Sequence, residues 1–247
     1  MSKIVVITGA SSGIGAALGE LLASQGHDVV LVARRQAALD EVAARCGGRA
    51  HVQVADVTDR AQVRRVVDET LARLGRIDVW VNNAGQGITR NPSELTDEDL
   101  DAVMRANVHS ALYGVQAVLP HFKMRGDGHV INISSLLGRV PFATIRSAYS
   151  AAKHFLNAMT AMLRAEVQET HPGIQISLVS PGIVQTEFGL HALHGGPDSR
   201  SFPDAQSAEQ VAAVIARVIE TRQPDVYTRP AAQMIAKYYA TVGVDPS

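Results

Sequence analysis

Tyr149 and Lys153 are the side chains of this sequence whose types and spacing are best suited to moving a proton. Residues four apart lie on the same face of a helix. A phenol with a pKa of about 10 exchanges protons poorly at neutral pH. A lysine cation ~4 Å away, at an effective dielectric of ~20, stabilises the phenolate by ~4 kcal/mol and lowers the pKa of the phenol by about three. The pair therefore predicts an acid–base tyrosine, and the alternative is a packed ring beside a solvated amine.

Three glycines form a second chemically informative cluster, in the segment from Thr8 to Gly15. Gly9 suits a tight turn, Gly13 lets the backbone approach a pyrophosphate, and Gly15 lets a helix pack closely on a strand. The N-terminus of that helix offers free N–H groups and a positive dipole to phosphates. The spacing is Gly-x-x-x-Gly-x-Gly rather than the common Gly-x-Gly-x-x-Gly, so an ordinary strand–helix turn is the alternative.

Short apolar runs and longer segments of helical periodicity alternate along the chain and must position these residues. The apolar runs, rich in β-branched residues, predict buried strands. They lie at 4–7, 29–32, 52–54, 79–81, 130–133 and 174–179, with a short candidate at 225–228 and then a tail. The helical segments are 14–25, 36–46, 60–74, 97–124, 147–170 and 207–222. This order predicts an α/β fold with a parallel sheet covered by helices on both faces.

The composition excludes several classes of protein. The 247 residues include 23 Lys+Arg and 24 Asp+Glu, without the basic excess of a protein that binds nucleic acid or an anionic membrane surface. Cys46 is the only cysteine, which excludes an intrachain disulfide and a thiolate zinc cluster. His191 and His194 have no accompanying carboxylate pattern, so no metal site is predicted. No targeting segment or membrane-spanning apolar run is visible, and a soluble cytoplasmic protein is expected.

Five further motifs follow the glycine segment 8–15 along the chain. They are Asn82-Asn83-Ala84-Gly85, Asn107-Val108, Ser134-Ser135, Tyr149-Ser150-Ala151-Ala152-Lys153 and Pro181-Gly182-Ile183-Val184-Gln185-Thr186. In this order, the glycine segment and these motifs resemble the short-chain dehydrogenase/reductase family, in its simple single-domain subtype of about 250 residues, and the segment 8–15 is similar to the family's cofactor loop. The resemblance implies a Rossmann-type, doubly wound parallel β-sheet of order 3-2-1-4-5-6-7. It also implies a single NAD(P)-binding domain over 1–247, with 184–206 as a substrate-binding loop or lid.

The resemblance implies a catalytic group made of Asn107, Ser135, Tyr149 and Lys153. Tyr149 would give a proton to the carbonyl oxygen as hydride arrives, and Lys153 would also hold the nicotinamide ribose. Asn107 would anchor a water that links Lys153 to solvent, unless it only bonds to neighbouring helix backbone. Ser135 would hydrogen-bond the reacting oxygen. The family's serine lies thirteen residues before its tyrosine and Ser135 lies fourteen before Tyr149, so one residue is inserted in 139–147, and Ser134 is the alternative.

Arg34 and Arg35 predict NADP(H) rather than NAD(H) as the cofactor. An acidic residue near the end of the second strand would accept the ribose hydroxyls of NAD, whereas this chain has Ala33-Arg34-Arg35 there. Arg34 offers a planar fork that matches a 2′-phosphate. Two solvated arginines at a helix start are the alternative, although cations there oppose the helix dipole.

The resemblance assigns the remaining cofactor contacts to turns that follow the strands. Asp56 and Val57 would border the adenine, although an aspartate in a strand-end turn is an ordinary feature. Thr186 would bond the nicotinamide carboxamide. The full predicted set of cofactor-binding residues is Gly9, Ser11, Ser12, Gly13, Ile14, Gly15, Arg34, Arg35, Asp56, Val57, Asn83, Ala84, Gly85, Tyr149, Lys153, Pro181, Gly182 and Thr186.

The predicted function is an NADP(H)-dependent oxidoreductase that interconverts a carbonyl and a secondary alcohol in a small molecule. Apolar residues predict an apolar substrate pocket, or a lid packed on the body: Leu136, Leu137, Val140, Phe142, Phe188, Leu190, Leu193 and Phe202. Arg139 and Arg146 would receive an anionic substrate group or are solvated surface residues. The resemblance also implies a homodimer or homotetramer. The alternative functions are a non-catalytic NADP(H)-binding sensor or scaffold, and an epimerase or dehydratase that uses the cofactor transiently.

Overall fold

Seven parallel strands form the sheet that carries the candidate site in the computed structural model, which describes residues 2–243. The strand order is β3-β2-β1-β4-β5-β6-β7, and every neighbouring pair is parallel. The predicted Rossmann-type fold and its strand order are therefore confirmed. The strands are β1 (Ile4–Thr8), β2 (Asp28–Ala33), β3 (Ala50–Val54), β4 (Val79–Asn82), β5 (Gly128–Ile133), β6 (Ile174–Ser180) and β7 (Asp225–Tyr227).

Eight α-helices lie in this part of the chain, and most of them cover the sheet. They are α1 (Gly13–Ser24), α2 (Gln36–Arg45), α3 (Arg60–Leu74), α4 (Asp97–Met104), α5 (Ser110–Arg125), α6 (Ser147–Thr170), α7 (Ala208–Thr221) and α8 (Ala232–Thr241). No helix within residues 2–243 is long and apolar enough to cross a membrane.

Alternation of side chains along the strands divides the core into two layers. On β1, Val5 and Ile7 pack with apolar residues of α1, α2 and α7, whereas Ile4 and Val6 pack with those of α3, α5 and α6. Successive residues of a strand point to opposite faces, so a strand buried on both faces is apolar throughout. This explains why the sequence of β1 contains an uninterrupted apolar run.

The predicted helix 97–124 is interrupted in the structure. The segment Arg105–His109 is a π-helix that joins α4 to α5. A π-helix adds a residue to the turn, and such turns occur often at functional sites. The apolar pattern of 97–124 does not reveal this π-helix, because one extra residue in a turn leaves most of the buried positions on the same side of the helix.

Helix α8 lies in the region after 228 that the sequence analysis assigns to a tail. Its Ile235, Tyr238 and Tyr239 pack over Leu136 and Val140. The spacing i, i+3, i+4 of the three apolar residues is helical, and it is the feature of the sequence that identifies this helix. No side chain of α8 is fully buried, so its hydrophobic pattern is weak.

A buried chain of polar side chains joins the middle of the sheet to α6. Trp80 Nε1 donates to Asn82 Oδ1 (2.7 Å), Asn82 Nδ2 donates to Asn132 Oδ1 (2.8 Å), and Asn132 Nδ2 donates to Thr160 Oγ1 (2.9 Å). Gly114 on α5 lies against Trp80 and Asn82, and a Cβ there would overlap both side chains. The absence of a side chain at 114 therefore lets α5 pack on β4.

We expect Gly114→Ala to destabilise the protein by about 1–3 kcal/mol through overpacking, although alanine is the better helix former by about 1 kcal/mol. Gly19→Ala in α1 is the matched control, because its nearest obstruction is the flexible Cδ2 of Leu31 at 2.7 Å. Urea unfolding of both variants tests this, and an equal loss of stability in the two would contradict the packing argument.

Candidate active site

Asn83 ties the turn after β1 to the end of β4. Its Nδ2 donates to the carbonyl oxygens of Thr8 (3.0 Å) and Gly9 (3.2 Å), and its backbone N–H donates to Thr8 Oγ1 (3.0 Å). The N–H of Ala84 reaches the same hydroxyl (3.2 Å). Two of the predicted motifs are thus held together by hydrogen bonds at one edge of the sheet.

The glycines of the segment 8–15 leave a cradle lined by backbone at the N-terminus of α1. Gly9 and Gly13 have φ values of +66° and +55°, which disfavour other residues. A Cβ on Gly15 would overlap the carbonyl oxygen of Gly9 and lie 2.7 Å from Asn83 Nδ2. Gly15 therefore allows the close approach of α1 to the turn that the sequence predicts.

Thr186 closes the other side of this cradle. Its Cγ2 lies 3.0 Å from the position that a Cβ on Gly13 would occupy. The preceding Pro181 accepts a hydrogen bond from the N–H of Leu136 (2.8 Å), which fixes the end of β6 beside the loop after β5. Gly182 lies against the guanidinium of Arg229. The structure thus brings the predicted Pro181–Thr186 segment to the glycine segment.

Tyr149 and Ser135 meet in the structure. Tyr149 is buried on the first turns of α6, and the side chain of Ser135 lies close enough to lower the pKa of the phenol through hydrogen bonding. The neighbouring Ser134 instead donates its hydroxyl to Asn157. Of the two serines left open by the sequence, Ser135 is therefore the one beside the phenol.

Lys153 lies one helical turn beyond Tyr149 and is 4% exposed. Its Nζ donates to the carbonyl oxygen of Ile133 (2.9 Å) and lies 5.6 Å from the centre of the Tyr149 ring. Burial lowers the pKa of Lys153 to about 7, because it disfavours the charged ammonium.

The pKa of Tyr149 moves in the direction opposite to the one expected from its spacing to Lys153. Burial raises the pKa of Tyr149 to about 12, while the hydrogen bond with Ser135 and the charge of Arg146 lower it. The expected lowering by Lys153 is therefore wrong. Charge spacing alone does not include the free-energy cost of burying both groups, and that cost dominates at this depth.

Asn107 lies in the π-helix, where its side chain makes three hydrogen bonds. Its Nδ2 donates to the carbonyl oxygens of Gln86 (2.9 Å) and Val103 (2.9 Å), and its Oδ1 accepts from the N–H of Gln86 (3.3 Å). A Cβ on Gly85 would lie 2.8 Å from Asn107 Oδ1 and 3.6 Å from Lys153 Nζ. These three predicted residues therefore converge at Gly85.

The residues predicted to recognise the adenosine end lie at the carboxyl ends of β2 and β3. Arg35 Nη2 donates to Ser11 Oγ (3.3 Å), which links it to the glycine segment, whereas Arg34 is exposed. Asp56 Oδ1 accepts from the N–H and the hydroxyl of Thr58 (2.9 and 2.8 Å). Asp56 thus forms the strand-end turn that the sequence analysis held as its alternative, and Val57 packs on the core.

Apolar residues surround Tyr149 on the side of the loop 184–206. The Phe188 ring lies 5.4 Å from the Tyr149 ring, and Ile88, Leu137 and Leu193 pack in the same cluster. The other predicted pocket residues are elsewhere: Leu136 and Val140 lie under α8, and Phe142, Leu190 and Phe202 are exposed. Arg139 forms an ion pair with Asp225.

Asn157 is a positioning residue that the sequence analysis missed. It accepts from Ser134 and donates through Nδ2 to the carbonyl oxygen of Gly138 (2.7 Å), which fixes the turn after Ser135. The feature that identifies it is spacing, since 149, 153 and 157 are each four apart on α6 and share one face.

Comparison with known proteins agrees with this geometry. The family described as short chain dehydrogenase matches residues 3–192. An uncharacterized oxidoreductase of Staphylococcus epidermidis is 35% identical over 184 residues, covering 74% of this chain and 79% of that protein.

Two solved structures resemble this one over nearly their whole length. A short-chain dehydrogenase from Sphingobium yanoikuyae in complex with NADPH has a TM-score of 0.82 and 30% identity, and the match covers 98% of this chain and 94% of that one. A short chain dehydrogenase/reductase from Burkholderia phymatum in complex with NAD has a TM-score of 0.89 and 24% identity over 100% of this chain and 96% of that one. At that identity the second likeness shows the fold.

We expect the buried ammonium of Lys153 to destabilise the folded protein by an amount that depends on pH. Its pKa is about 7 in the folded protein and 10.5 ordinarily, so between these values the unfolded chain binds more protons and stability rises with pH. The cost is fully present below pH 7. The difference in unfolding free energy between Lys153→Met and the unsubstituted protein should therefore shrink from pH 6 to pH 9.5, measured by urea unfolding.

The exposed Lys237 supplies the control, because Lys237→Met should show a difference that does not change over this range. The raised pKa of Tyr149 makes the stability of the folded protein fall as the pH rises, but only when the pH approaches 10. The pH range of the measurement therefore ends at 9.5. If the difference in unfolding free energy between Lys153→Met and the unsubstituted protein were the same at every pH, burial of the Lys153 ammonium would carry no free-energy cost.

Proposed function

The chain belongs to the short-chain dehydrogenase/reductase family of oxidoreductases, and on that premise we propose that it interconverts a carbonyl and a secondary alcohol with NADP(H). One observation carries the proposal. The buried phenol of Tyr149 lies beside the Ser135 side chain, which lowers its pKa, and Lys153 follows on the next turn of the same helix. A protonated phenol beside a second hydroxyl suits proton transfer to a carbonyl oxygen that gains negative charge.

The glycine cradle fits a nicotinamide dinucleotide. Gly9 and Gly15 let this turn and α1 pack closely on Asn83 and Ala84, and the turn lies at a helix N-terminus where Ser12 makes no side-chain cap. In this proposal Gly9, Ser11, Ser12, Gly13, Ile14 and Gly15 hold the pyrophosphate. Asn83, Ala84 and Gly85 line the cofactor, as do Pro181, Gly182 and Thr186. Tyr149 and Lys153 hold the nicotinamide ribose. When bound, the cofactor supplies or accepts the hydride.

Tyr149 acts as the general acid in the direction of reduction. Its pKa of about 12 keeps the phenol protonated at neutral pH, so the proton is present when the carbonyl oxygen needs it. The phenolate left behind is stabilised by the Ser135 side chain and by the positive charge of Arg146. Asn107 positions Lys153, since both side chains lie beside Gly85. We propose that Asn107 anchors a water there.

A preference for NADP(H) is supported by the end of β2. The turn there carries Ala33-Arg34-Arg35 and no carboxylate, so it offers nothing that repels a 2′-phosphate. Arg35 already contacts Ser11 of the glycine segment, and the exposed Arg34 is free to turn towards a bound phosphate. The related protein of Sphingobium yanoikuyae binds NADPH. Asp56 and Val57 would border the adenine.

The substrate in this proposal is a small, partly apolar carbonyl compound or alcohol. We propose that 1–247 is a single NAD(P)-binding domain and that 184–206 is its substrate lid. Within the lid, the N–H of Leu193 donates to Gly87 O and its carbonyl accepts from the N–H of Thr89, both at 2.9 Å. These bonds place Phe188 against Tyr149.

Helix α6 supports the proposed homodimer or homotetramer. Its outer face exposes Ala151, Phe155, Ala158 and Met162, with Phe155 and Met162 exposed by 50% and 72%. A stripe of exposed apolar side chains at helical spacing, two of them large, is typical of a surface that packs against another protein. We propose that a second copy of the chain covers it.

Tyr149→Phe should reduce NADPH-dependent turnover of carbonyl compounds at least about a hundredfold, since a positioned proton donor contributes about 10²–10⁴-fold. The measurement is NADPH consumption against aldehydes, ketones, diketones, steroids and ketoacyl thioesters. NADPH binding, followed by its fluorescence, should remain measurable in the variant, because the proposed contacts to the pyrophosphate and the adenosine end are unchanged. Turnover that survives the substitution would refute the role of Tyr149, and binding without turnover in either protein would favour the sensor alternative.

Arg34→Asp should shift cofactor preference towards NADH, because a carboxylate repels the 2′-phosphate and accepts ribose hydroxyls. We expect the NADPH/NADH ratio of kcat/KM to fall at least about tenfold. The exposed Arg73 on α3 provides the matched control, Arg73→Asp, which should leave the ratio unchanged. If Arg34→Asp leaves the NADPH/NADH ratio of kcat/KM unchanged, Arg34 does not recognise the 2′-phosphate.

A further inference from the structure

Arg146 immediately precedes α6, three residues before Tyr149, and its side chain is half-buried. Its Nη1 donates to the carbonyl oxygen of Ile88 and to the hydroxyl of Thr89, both at 3.1 Å. Both acceptors are neutral. They account for only part of the five N–H groups of a guanidinium.

No carboxylate pairs with Arg146 within residues 2–243. Tyr149 is the one titratable neighbour that acts on its pKa, which burial lowers. A guanidinium nevertheless stays charged at neutral pH. Other arginines near the site have anionic partners, since Arg90 pairs with Asp99 and Arg139 pairs with Asp225. A partly buried cation without an anion is unfavourable, and this one lies beside the phenol.

The guanidinium lies where the lid meets the body of the protein. The position of a Cβ on Gly87 would be 3.4 Å from Arg146 Nη1 and 3.0 Å from the Phe188 ring. The position of a Cβ on Gly196 would be 3.0 Å from Arg146 Nη2. Phe188 in turn contacts Tyr149. Two glycines therefore pack closely against the guanidinium, beside the ring that contacts the reacting phenol.

We propose that Arg146 binds a carboxylate of the substrate, so that the carbonyl compound reduced at Tyr149 is an oxo acid. This proposal rests on the function proposed above and names its substrate class. Arginine binds carboxylates through paired N–H donors, and a bound carboxylate would supply the missing anion. The apolar side chains of Ile88, Leu137 and Leu193 would contact the remainder of the acid.

The closeness of Arg146 to Tyr149 limits the length of the acid. The charge of Arg146 acts on the Tyr149 phenol, so the carboxylate and the carbonyl are separated by few carbon atoms. In the reaction, the carbonyl carbon gains a hydride from NADPH and the carbonyl oxygen gains the Tyr149 proton, which solvent replaces. The products are the hydroxy acid and NADP⁺, and the carboxylate is unchanged.

The test compares 2-oxo, 3-oxo and 4-oxo acids with their methyl esters, which keep the carbonyl and lose the charge. The unsubstituted protein should prefer the acid in at least one pair. In Arg146→Met the acid/ester ratio of kcat/KM for that pair should fall at least about tenfold, mainly through KM. Arg146→Lys should recover part of the ratio, because it restores the charge without the fork.

Arg164→Met is the matched control for a purely structural loss. Arg164 is also half-buried and donates to backbone carbonyl oxygens, those of Ile176 and Pro224, away from Tyr149. Its substitution should leave the acid/ester ratio unchanged. As a readout independent of turnover, calorimetric titration of the preferred hydroxy acid into the protein with NADP⁺ should show binding that is lost in Arg146→Met.

Equal losses for acid and ester in Arg146→Met would overturn the inference and leave Arg146 with a structural role only. Reduction of neutral carbonyl compounds but of no oxo acid would overturn it as well, while the proposed function would stand. If NADPH binds but no carbonyl compound of any class is reduced, the proposed function fails and the substrate assignment fails with it.

Discussion

The parallel pairing of the strands is the constraint on which the candidate site depends. Because parallel strands run in one direction, the turns after β1, β4, β5 and β6 all emerge at the same edge of the sheet. Backbone groups at such an edge are no longer paired within the sheet and need other partners. The hydroxyl of Thr8 is the partner of three such groups, since it donates to Val81 O and accepts from the N–H groups of Asn83 and Ala84. The polar residues that hold the edge together are thus among those that the proposed chemistry uses.

Helix α6 fixes the spacing of the reactive groups against that edge. Tyr149, Lys153 and Asn157 lie on one face, and each reaches a different part of the chain after β5: Ser135, the carbonyl of Ile133, and the turn at Gly138. Burial on this face shifts the pKa values of both ionisable side chains, Tyr149 and Lys153. It disfavours charge, so it raises the pKa of the tyrosine and lowers that of the lysine. The half-buried charge of Arg146 opposes this effect at Tyr149.

The sequence was sufficient for the features that depend on local pattern. Strands buried on both faces are continuous apolar runs, and the glycine segment must have residues without Cβ where α1 approaches the turn. Thr96 and Asp99 form the capping box at the start of α4 that their types and spacing indicate. The π-helix around Asn107 and the helix α8 were not predicted. A one-residue change in helical hydrogen bonding leaves little trace in an apolar pattern, and α8 packs only a few side chains on the loop after Ser135.

The sequence by itself determined the family, the fold, the strand order and the identity of the residues gathered at the sheet edge, because these follow from motif order and side-chain periodicity. It did not determine which of Ser134 and Ser135 faces Tyr149, whether Arg34 or Arg35 contacts the glycine segment, or the direction of the pKa shifts at Tyr149 and Lys153. It also left open whether Arg139 or Arg146 has a counter-ion. The tertiary structure decided these points, because burial and pairing depend on residues far apart in the chain, such as Asp225 beside Arg139. Hydrogen bonds and desolvation act over a few ångströms of space, and distances of that kind exist only once the chain is folded.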